Sequence, residues 1–308
     1  MSARWLWLAP LLALLSACGS FTRGGGYFQD DGPESNPPAD VANIPDAVPK
    51  REARSASGNN PYAVYGVAYK PLATANGYRE RGIASWYGKK FHRKRTSSGE
   101  AYDMYAMTAA HKTLPLPCYV RVRNLQNGRS AVVRVNDRGP FLNNRLIDLS
   151  YAAAAKLGII GTGTGIVEVE AINPDEPTVQ VAKTSNADDS VQIIPYVMAG
   201  ETPPTQVAAT QSVPAPAAST QTTAVAEPKL YLQVGAFTVW DNAATLRDRL
   251  EREALRPIFI QSSLNTNGNT ATRIFRVRVG PLANVEEGDR LSARATQLGV
   301  SNPLIVVE

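Results

Sequence analysis

Three side chains that can donate, accept or hold a proton lie in three short motifs near the middle of the chain. Glu100 is in "SSGEAYD", His111 in "TAAHKTLP" and Asp137 in "VNDRGP". Carboxylic acids and imidazoles are the side chains that most often transfer protons to or from a reacting group. These residue types therefore permit general acid–base chemistry.

The other acidic residues of the same region fit structural roles more readily. Glu168 and Glu170 alternate on a terminal strand and are expected to be solvated. Asp148 precedes Ser150 at the start of a helix, so a structural role is favoured for it. Asp137 lies where a strand breaks into a turn, which suits either a turn residue or a carboxylate that reaches into a groove.

Metal and nucleophile chemistry find little support in the sequence. His92 and His111 are the two histidines of the chain, and no Cys/His cluster has the spacing of metal ligands. A Ser-His-Asp triad built on Ser85 or Ser98 would lack the nucleophile-elbow motif that positions such a serine. We therefore expect neither a metal nor another cofactor.

A basic, aromatic stretch precedes Glu100. Trp86 and Tyr87 should point to opposite faces of a strand, so that one packs inward and the other either contacts a ligand or helps to close the core. Residues 79–171 carry 15 Lys and Arg against 7 Asp and Glu, a net charge of +8, whereas the whole chain carries +5. Such a surface favours an anionic partner, although a merely solvated basic face is the alternative.

Short strands and one helix are predicted between residues 79 and 171. "GIASWYG", "CYVRVRNL" and "SAVVRVND" alternate in polarity, and Asn127-Gly128 is a hairpin turn. Ser150 is a good N-cap for "YAAAAKL", and Gly158 suits the position after its end. Many short strands with one small helix indicate a closed β-barrel.

The ends and connections of the chain have a different composition. Residues 1–17 have the layout of an export signal, ending in the sequence Leu-Ser-Ala before Cys18. Residues 18–78 and 172–228 are rich in Pro, Ala, Gly, Asn or Thr, and we expect a largely disordered tether and a semi-extended linker. With Cys18 modified, Cys118 would be the one remaining thiol, and we expect it to be buried and inert.

Residues 229–308 contain two similar halves. "YLQVGAF" and "FRVRVGPL" each precede a helix, the first expected to be capped by Asp241, and each helix leads to another strand. This pattern predicts a ferredoxin-like (βαβ)₂ domain with four strands and two helices on one face. Strand alternation places four polar side chains on the open face of the sheet: Tyr231, Gln233, Arg276 and Arg278.

The motifs together resemble known families. "GIASWYGKKFHRKRTSSGEAYD", "MTAAHKTLPLP", "VRVNDRGPF" and "RLIDLSYAAAAKLG" resemble the double-psi β-barrel of the rare lipoprotein A family of septal lytic transglycosylases. "LQVGAF" and "RVRVGPL" resemble the SPOR domain, which binds peptidoglycan glycan without stem peptides. The sequence Leu15-Ser16-Ala17-Cys18 resembles the lipobox of bacterial lipoproteins, in which the cysteine is acylated.

The resemblance implies an activity and roles for particular residues. It implies cleavage of the MurNAc–GlcNAc bond of naked glycan to 1,6-anhydroMurNAc ends, during septation and cell separation. Asp137 would be the general acid/base, Glu100 would stabilise positive charge, and His111 would hold a carboxyl or a hydroxyl; the first two roles could be exchanged. Trp86, Tyr87 and Arg138 would contact glycan, as would Tyr231, Gln233, Arg276 and Arg278.

The resemblance also implies a location and leaves two alternatives. An acylated Cys18 followed by Gly19 would anchor the protein on the periplasmic side of a bacterial membrane, the outer membrane being favoured, with enrichment at the division septum. Export removes nucleic acid as a partner and leaves peptidoglycan glycan, the membrane and division-septum proteins. The alternatives are a non-catalytic protein that binds denuded glycan or scaffolds division, and a muramidase that hydrolyses the bond.

Overall fold

The computed structural model describes residues 31–142, 144–175, 227–267 and 270–308. The predicted export signal and Cys18 lie outside these ranges, as does most of the predicted linker. Among the described helices, none has the length and apolar character needed to cross a membrane.

Residues 79–172 form a closed barrel of six strands, as the sequence predicts. Around the barrel the order is β3-β7-β4-β6-β5-β8. The pairs β3/β7 and β4/β6 are parallel and the other four are antiparallel. The strands are β3 (Arg79–Tyr87), β4 (Thr108–His111), β5 (Cys118–Asn124), β6 (Ser130–Asp137), β7 (Ile147–Ser150) and β8 (Gly165–Ile172).

Alternation of side chains builds the interior of the barrel. Val120 and Val122 of β5 and Val133 and Val135 of β6 are fully buried, while the residues between them face outward. β-branched residues pack well on such half-buried pleated surfaces. The turn joining these strands contains Gly128 at a φ of +73°, a conformation that glycine adopts without a steric penalty.

One helix, α1 (Tyr151–Leu157), covers part of the barrel. The Ser150 hydroxyl accepts a hydrogen bond from Ala153 N (3.2 Å), and Gly158 ends the helix at a φ of +71°. Both predicted caps are confirmed. Because Ser150 occupies the N-cap position, the carboxylate of Asp148 is not required there.

The segment preceding the barrel is ordered from residue 31, which corrects the expectation of a disordered tether for residues 31–78. It contains a short 3₁₀ helix (Val41–Asn43) and the hairpin of β1 (Tyr62–Val64) and β2 (Val67–Tyr69). Its backbone is bonded to the barrel, for example from Ala47 N to Val132 O (3.0 Å). Such backbone bonds require no apolar periodicity, and for that reason the composition did not reveal them.

Residues 230–307 form the predicted (βαβ)₂ domain. Its antiparallel sheet has the order β10-β11-β9-β12. Leu232, Val277 and Val279 are fully buried between the sheet and the helices. The elements are β9 (Leu230–Phe237), α2 (Trp240–Arg252), β10 (Ile258–Asn267), β11 (Thr270–Leu282), α3 (Val285–Gln297) and β12 (Leu304–Val307).

The two helix starts differ from each other. The Asn284 side chain caps α3 by accepting a hydrogen bond from Glu287 N (2.8 Å). The prediction that Asp241 caps α2 is wrong, because Val239 occupies the N-cap position and Asp241 lies within the first turn. A carboxylate in the first turn still stabilises the helix through its dipole.

Candidate active site

Asp137 ends β6 and is held by a turn that precedes β4 in the chain. Its Oδ1 accepts hydrogen bonds from Ser97 N, Ser97 Oγ and Arg138 N, each at 2.7 Å. The side chain is half-buried. Three donors on one oxygen fix the orientation of the carboxylate at the outer wall of the barrel.

Glu100 closes the same turn. Thr96 N donates to Glu100 O (2.7 Å), and the Glu100 carboxylate receives two bonds from the Arg134 guanidinium (2.7 and 2.8 Å) and one from Asn136 Nδ2 (2.9 Å). The Arg134 guanidinium holds the pKa of Glu100 below its ordinary value, so this carboxylate is charged at neutral pH.

The turn of residues 96–100 brings these two carboxylates together. Ser97 donates to Asp137. Two later residues of the turn contact Asn136, the neighbour of Asp137 on β6: Ser98 N donates to Asn136 O (3.2 Å), and Glu100 accepts from Asn136 Nδ2. The structure therefore places Glu100 and Asp137 at one strand end.

His111 is buried, with 2% of its surface exposed. Its Nδ1 accepts from Thr113 N (3.1 Å) and Leu114 N (2.9 Å), so its proton lies on Nε2, which donates to Tyr78 Oη (2.9 Å). Burial lowers the pKa of His111 to about 3, and the ring is neutral. These bonds let His111 order the turn after β4, and its expected contact with a carboxyl or a sugar hydroxyl stays a prediction.

Arg138 is also a structural residue. Its guanidinium donates to the backbone oxygens of Gly58 (2.7 Å), His111 (3.1 Å) and Leu114, and 9% of the residue is exposed. These bonds use the charged fork to tie the segment before the barrel to the turn after β4. The expected contact of Arg138 with glycan stays a prediction.

Of the two adjacent aromatic residues, neither projects freely into solvent. Tyr87 is buried and stacks on Tyr102 with ring centroids 4.0 Å apart, and its expected contact with sugar stays a prediction. Trp86 is half-buried and packs on Tyr151 (5.5 Å between centroids). The core interpretation therefore holds for Tyr87, and Trp86 keeps a partly exposed edge.

A brace from the segment before the barrel was missed by the sequence reasoning. Glu52 accepts two bonds from Arg134 (both 2.8 Å) and one from the Tyr119 hydroxyl. Arg134 thus lies between Glu52 and Glu100, and its position is fixed from both sides. No local motif marks Glu52, because its partner is 82 residues away in the chain.

Asp148 was assigned a structural role from the sequence, yet it shares a face with Asp137. In the barrel register Ser85 is opposite Asp148, Asp148 is opposite Ala110, and Ala110 is opposite Asp137. Paired residues on neighbouring strands point to the same side of a sheet. The signal was available only from the strand order, which the sequence does not provide.

The polar face of the (βαβ)₂ domain carries the expected residues, but both of its arginines are bonded to other side chains. Arg278 is buried and donates to Glu308 and Gln261, and its guanidinium lies 5.9 Å from the centre of the Tyr231 ring. Arg276 donates to Ser263. Gln233 and Tyr231 are half-exposed on the same face.

Within the described ranges, no group of three or more His, Cys, Asp or Glu side chains is placed to hold a metal ion. Cys118 is half-buried, and burial raises the pKa of its thiol to about 12. A thiol of this kind is not nucleophilic at neutral pH.

Both parts of the chain match families of known proteins. Residues 79–171 match the family described as lytic transglycolase, and residues 226–306 match the SPOR domain. A solved structure, the Streptomyces papain inhibitor, is similar over 30% of this chain and 93% of its own at 27% identity, with a TM-score of 0.25.

Relatives extend the similarity over most of the chain. The endolytic peptidoglycan transglycosylase RlpA of Pseudomonas aeruginosa is 44% identical over 280 residues, covering 84% of this chain and 80% of the relative. The protein of the same name from Vibrio cholerae is 51% identical over 176 residues, 57% of this chain and 67% of the relative. The chain belongs to the RlpA family of endolytic peptidoglycan transglycosylases.

Proposed function

We propose that this protein cleaves the MurNAc–GlcNAc bond of peptidoglycan glycan strands that lack stem peptides, leaving 1,6-anhydroMurNAc ends. The observation that carries the proposal is the pair of carboxylates, Glu100 and Asp137, fixed against one turn at the end of β6. Family membership makes the same reaction class the expected one.

Each of the three sequence-derived residues has a role that its surroundings support. Asp137 exchanges protons with the reacting sugar, because it is partly exposed and held in one orientation. Glu100 stays ionised and stabilises the positive charge that develops at the anomeric carbon. His111 acts indirectly, by ordering the turn after β4 through its two backbone bonds.

The (βαβ)₂ domain would deliver the enzyme to its substrate. Gln233 and Tyr231 present a hydrogen-bonding side chain and an aromatic ring on an open sheet, and Arg276 adds a positive charge. Glycan without stem peptides exposes the lactyl carboxylate of each muramic acid, which a guanidinium can bind. The basic barrel surface would attract the same carboxylates.

The location follows from the sequence at the start of the chain together with the family. RlpA relatives and the SPOR match point to a cell-wall-associated protein. Acylation of Cys18 would anchor it on the periplasmic side of a membrane, the outer membrane being favoured, since several acyl chains bind lipid firmly. Enrichment at the division septum, with septal partners, is part of the same proposal.

The test is digestion of sacculi by the full-length protein in mild detergent. Amidase-stripped and intact sacculi are incubated with wild type, Asp137→Asn and the control Glu170→Gln, and the products are analysed by mass spectrometry. We expect anhydroMurNAc ends from stripped sacculi with wild type and Glu170→Gln, and none with Asp137→Asn. Glu170 is a suitable control because it lies on the far strand β8 and pairs with Arg121 (3.6 Å).

Two other outcomes would replace the proposal. Binding to stripped sacculi with no released fragment would make the protein a denuded-glycan-binding or division-scaffold protein. Products with hydrolysed reducing ends in place of anhydro ends would make it a muramidase.

A further inference from the structure

We propose that Asp148 is a second catalytic carboxyl of this site, which protonates the leaving oxygen while Asp137 accepts the proton of the attacking hydroxyl. The inference rests on the proposed function and divides between two residues the role that the sequence gave to Asp137 alone.

The register of the barrel places both carboxyls on one outer surface. Asp148 on β7 and Asp137 on β6 are each opposite Ala110 of β4. Neighbouring strands lie 4.7–4.9 Å apart, so the two backbone positions are separated by about 10 Å. A methyl group is the side chain between them. We call the surface between Asp148 and Asp137, over Ala110, the trough. In other enzymes that cleave sugars, a pair of carboxyls flanks the glycosidic bond.

The floor of this trough is kept low by a glycine. Gly139 has a φ of +141°, which side-chain-bearing residues rarely adopt. A Cβ placed there would lie 3.8 Å from the Ala110 Cβ and 3.9 Å from Asp148 Oδ2. Any larger side chain at position 139 would therefore cover the second oxygen of Asp148. With glycine, this oxygen borders the same space as Asp137.

The other oxygen of Asp148 is held in place. Ser85, its neighbour in the register, donates its hydroxyl hydrogen to Oδ1. Asp148 itself is half-buried, so part of it remains exposed. The surrounding elements face it with charged and titratable groups: Lys112, Arg145 (itself paired with Asp289 at 2.6 Å), Asp31, Tyr87 and Tyr102.

Asp148 and Glu100 differ in protonation because their surroundings differ. Burial raises the pKa of Asp148 from 3.8 to about 6, against the lowering effects of the Ser85 hydrogen bond and of Arg145 and Lys112. Glu100 has its pKa lowered by Arg134. A carboxyl that holds its proton near neutral pH is suited to be a general acid, and an ionised one to stabilise positive charge.

The reaction balances with these assignments. The bond between MurNAc C1 and the glycosidic oxygen breaks, and the Asp148 proton passes to that oxygen, which leaves as the GlcNAc 4-hydroxyl. The C6 hydroxyl oxygen of the same MurNAc bonds to C1, and its proton passes to Asp137. Asp148 is left ionised and Asp137 protonated, and exchange with water restores both.

A substrate with a good leaving group tests the assignment directly. We expect Asp148→Asn to lose roughly 10²- to 10⁴-fold in rate on stripped glycan, the usual contribution of a general acid. On a denuded glycan fragment ending in a 4-nitrophenyl MurNAc glycoside, where the leaving group needs no proton, it should retain a rate within about tenfold of wild type. Asp137→Asn should be inactive on both substrates, and Glu170→Gln active on both.

The pH profile supplies an independent readout. The rate on stripped glycan should fall above a pKa near 6 as Asp148 loses its proton. Ser85→Ala removes a donor to the ionised form, so it should move this alkaline limb to higher pH. A purely structural role for Asp148 would leave the limb unmoved.

The outcomes separate this inference from the proposed function. Equal losses of Asp148→Asn on both substrates, or full activity on stripped glycan, would overturn the role of Asp148 and leave the transglycosylase intact. A wild-type protein that releases no anhydro product would overturn the proposed function, and this inference with it.

Discussion

Asp148→Asn should make the folded protein more stable while removing its activity. Burial raises the pKa of Asp148 from 3.8 to about 6, so at pH 8 the fold holds an ionised carboxyl in surroundings that disfavour it. One pKa unit corresponds to about 1.4 kcal/mol, which gives an upper limit of about 3 kcal/mol for the gain in unfolding free energy. An amide has no charge to desolvate and can still accept the Ser85 hydrogen bond.

The gain should depend on pH in a defined direction. A carboxyl with a raised folded-state pKa adds its full relative stability below pH 3.8 and loses it as the pH rises through 6. The difference between Asp148→Asn and wild type should therefore be small at pH 4, about 0.5 kcal/mol, and largest at pH 7 to 8. Other titrating groups, His111 and the ion-paired carboxylates, are common to both proteins and cancel in the difference.

Urea denaturation of both full-length proteins in detergent, at pH 4, 6 and 8, measures this difference. Tryptophan fluorescence is a suitable probe because Trp86 packs in the barrel beside Tyr151. Glu170→Gln is the control for removing one exposed carboxylate. An Asp148→Asn protein that is equally stable or less stable than wild type at pH 8 would refute the reasoning that burial raises the Asp148 pKa.

Three further changes follow from the contacts of buried groups. His111→Ala leaves the amides of the turn after β4 without their acceptor and opens a cavity. Thermal unfolding should therefore show a loss of about 3 kcal/mol in unfolding free energy, and the control His92→Ala should lose less. Glu52→Gln should cost about 1 kcal/mol in urea denaturation by removing one charge from the Arg134 brace, and the exposed Lys50→Gln should cost nothing measurable. In a Cys18→Ser background, a thiol reagent should label Cys118 slowly in the native protein and rapidly in denaturant; rapid native labelling would contradict the raised pKa of Cys118.

The fold was predictable where local signals act alone. Alternation in β5 and β6, the Gly128 turn and the Ser150 cap each specify their element from a few neighbouring residues. The order of residues 31–78 was not predictable in this way. Its attachment uses backbone bonds to distant parts of the barrel, such as Ala47 N to Val132 O on β6 (3.0 Å) and Leu72 N to Thr113 O in the turn after β4 (2.7 Å).

The site divides along the same line. The motifs identified Glu100 and Asp137, and the turn of residues 96–100 brings them together. They could not show that His111 and Arg138 are buried, since a polar residue in a motif is equally compatible with a ligand-binding role and with a fully bonded structural one. In the structure, backbone carbonyls and amides take up the polar groups of both residues.

The position of Asp148 shows that a row of paired residues across neighbouring strands, and not one sequence motif, defines the reactive surface. Four neighbouring strands place Ser85, Asp148, Ala110 and Asp137 in one line, although these residues span 64 positions of the chain (from 85 to 148 inclusive). A carboxyl that held only the fold together would be more stable as an amide. Asp148 is a carboxyl beside Gly139, at a cost of up to about 3 kcal/mol in unfolding free energy. A general acid requires such surroundings, because the same burial that destabilises the ionised carboxylate keeps its proton available.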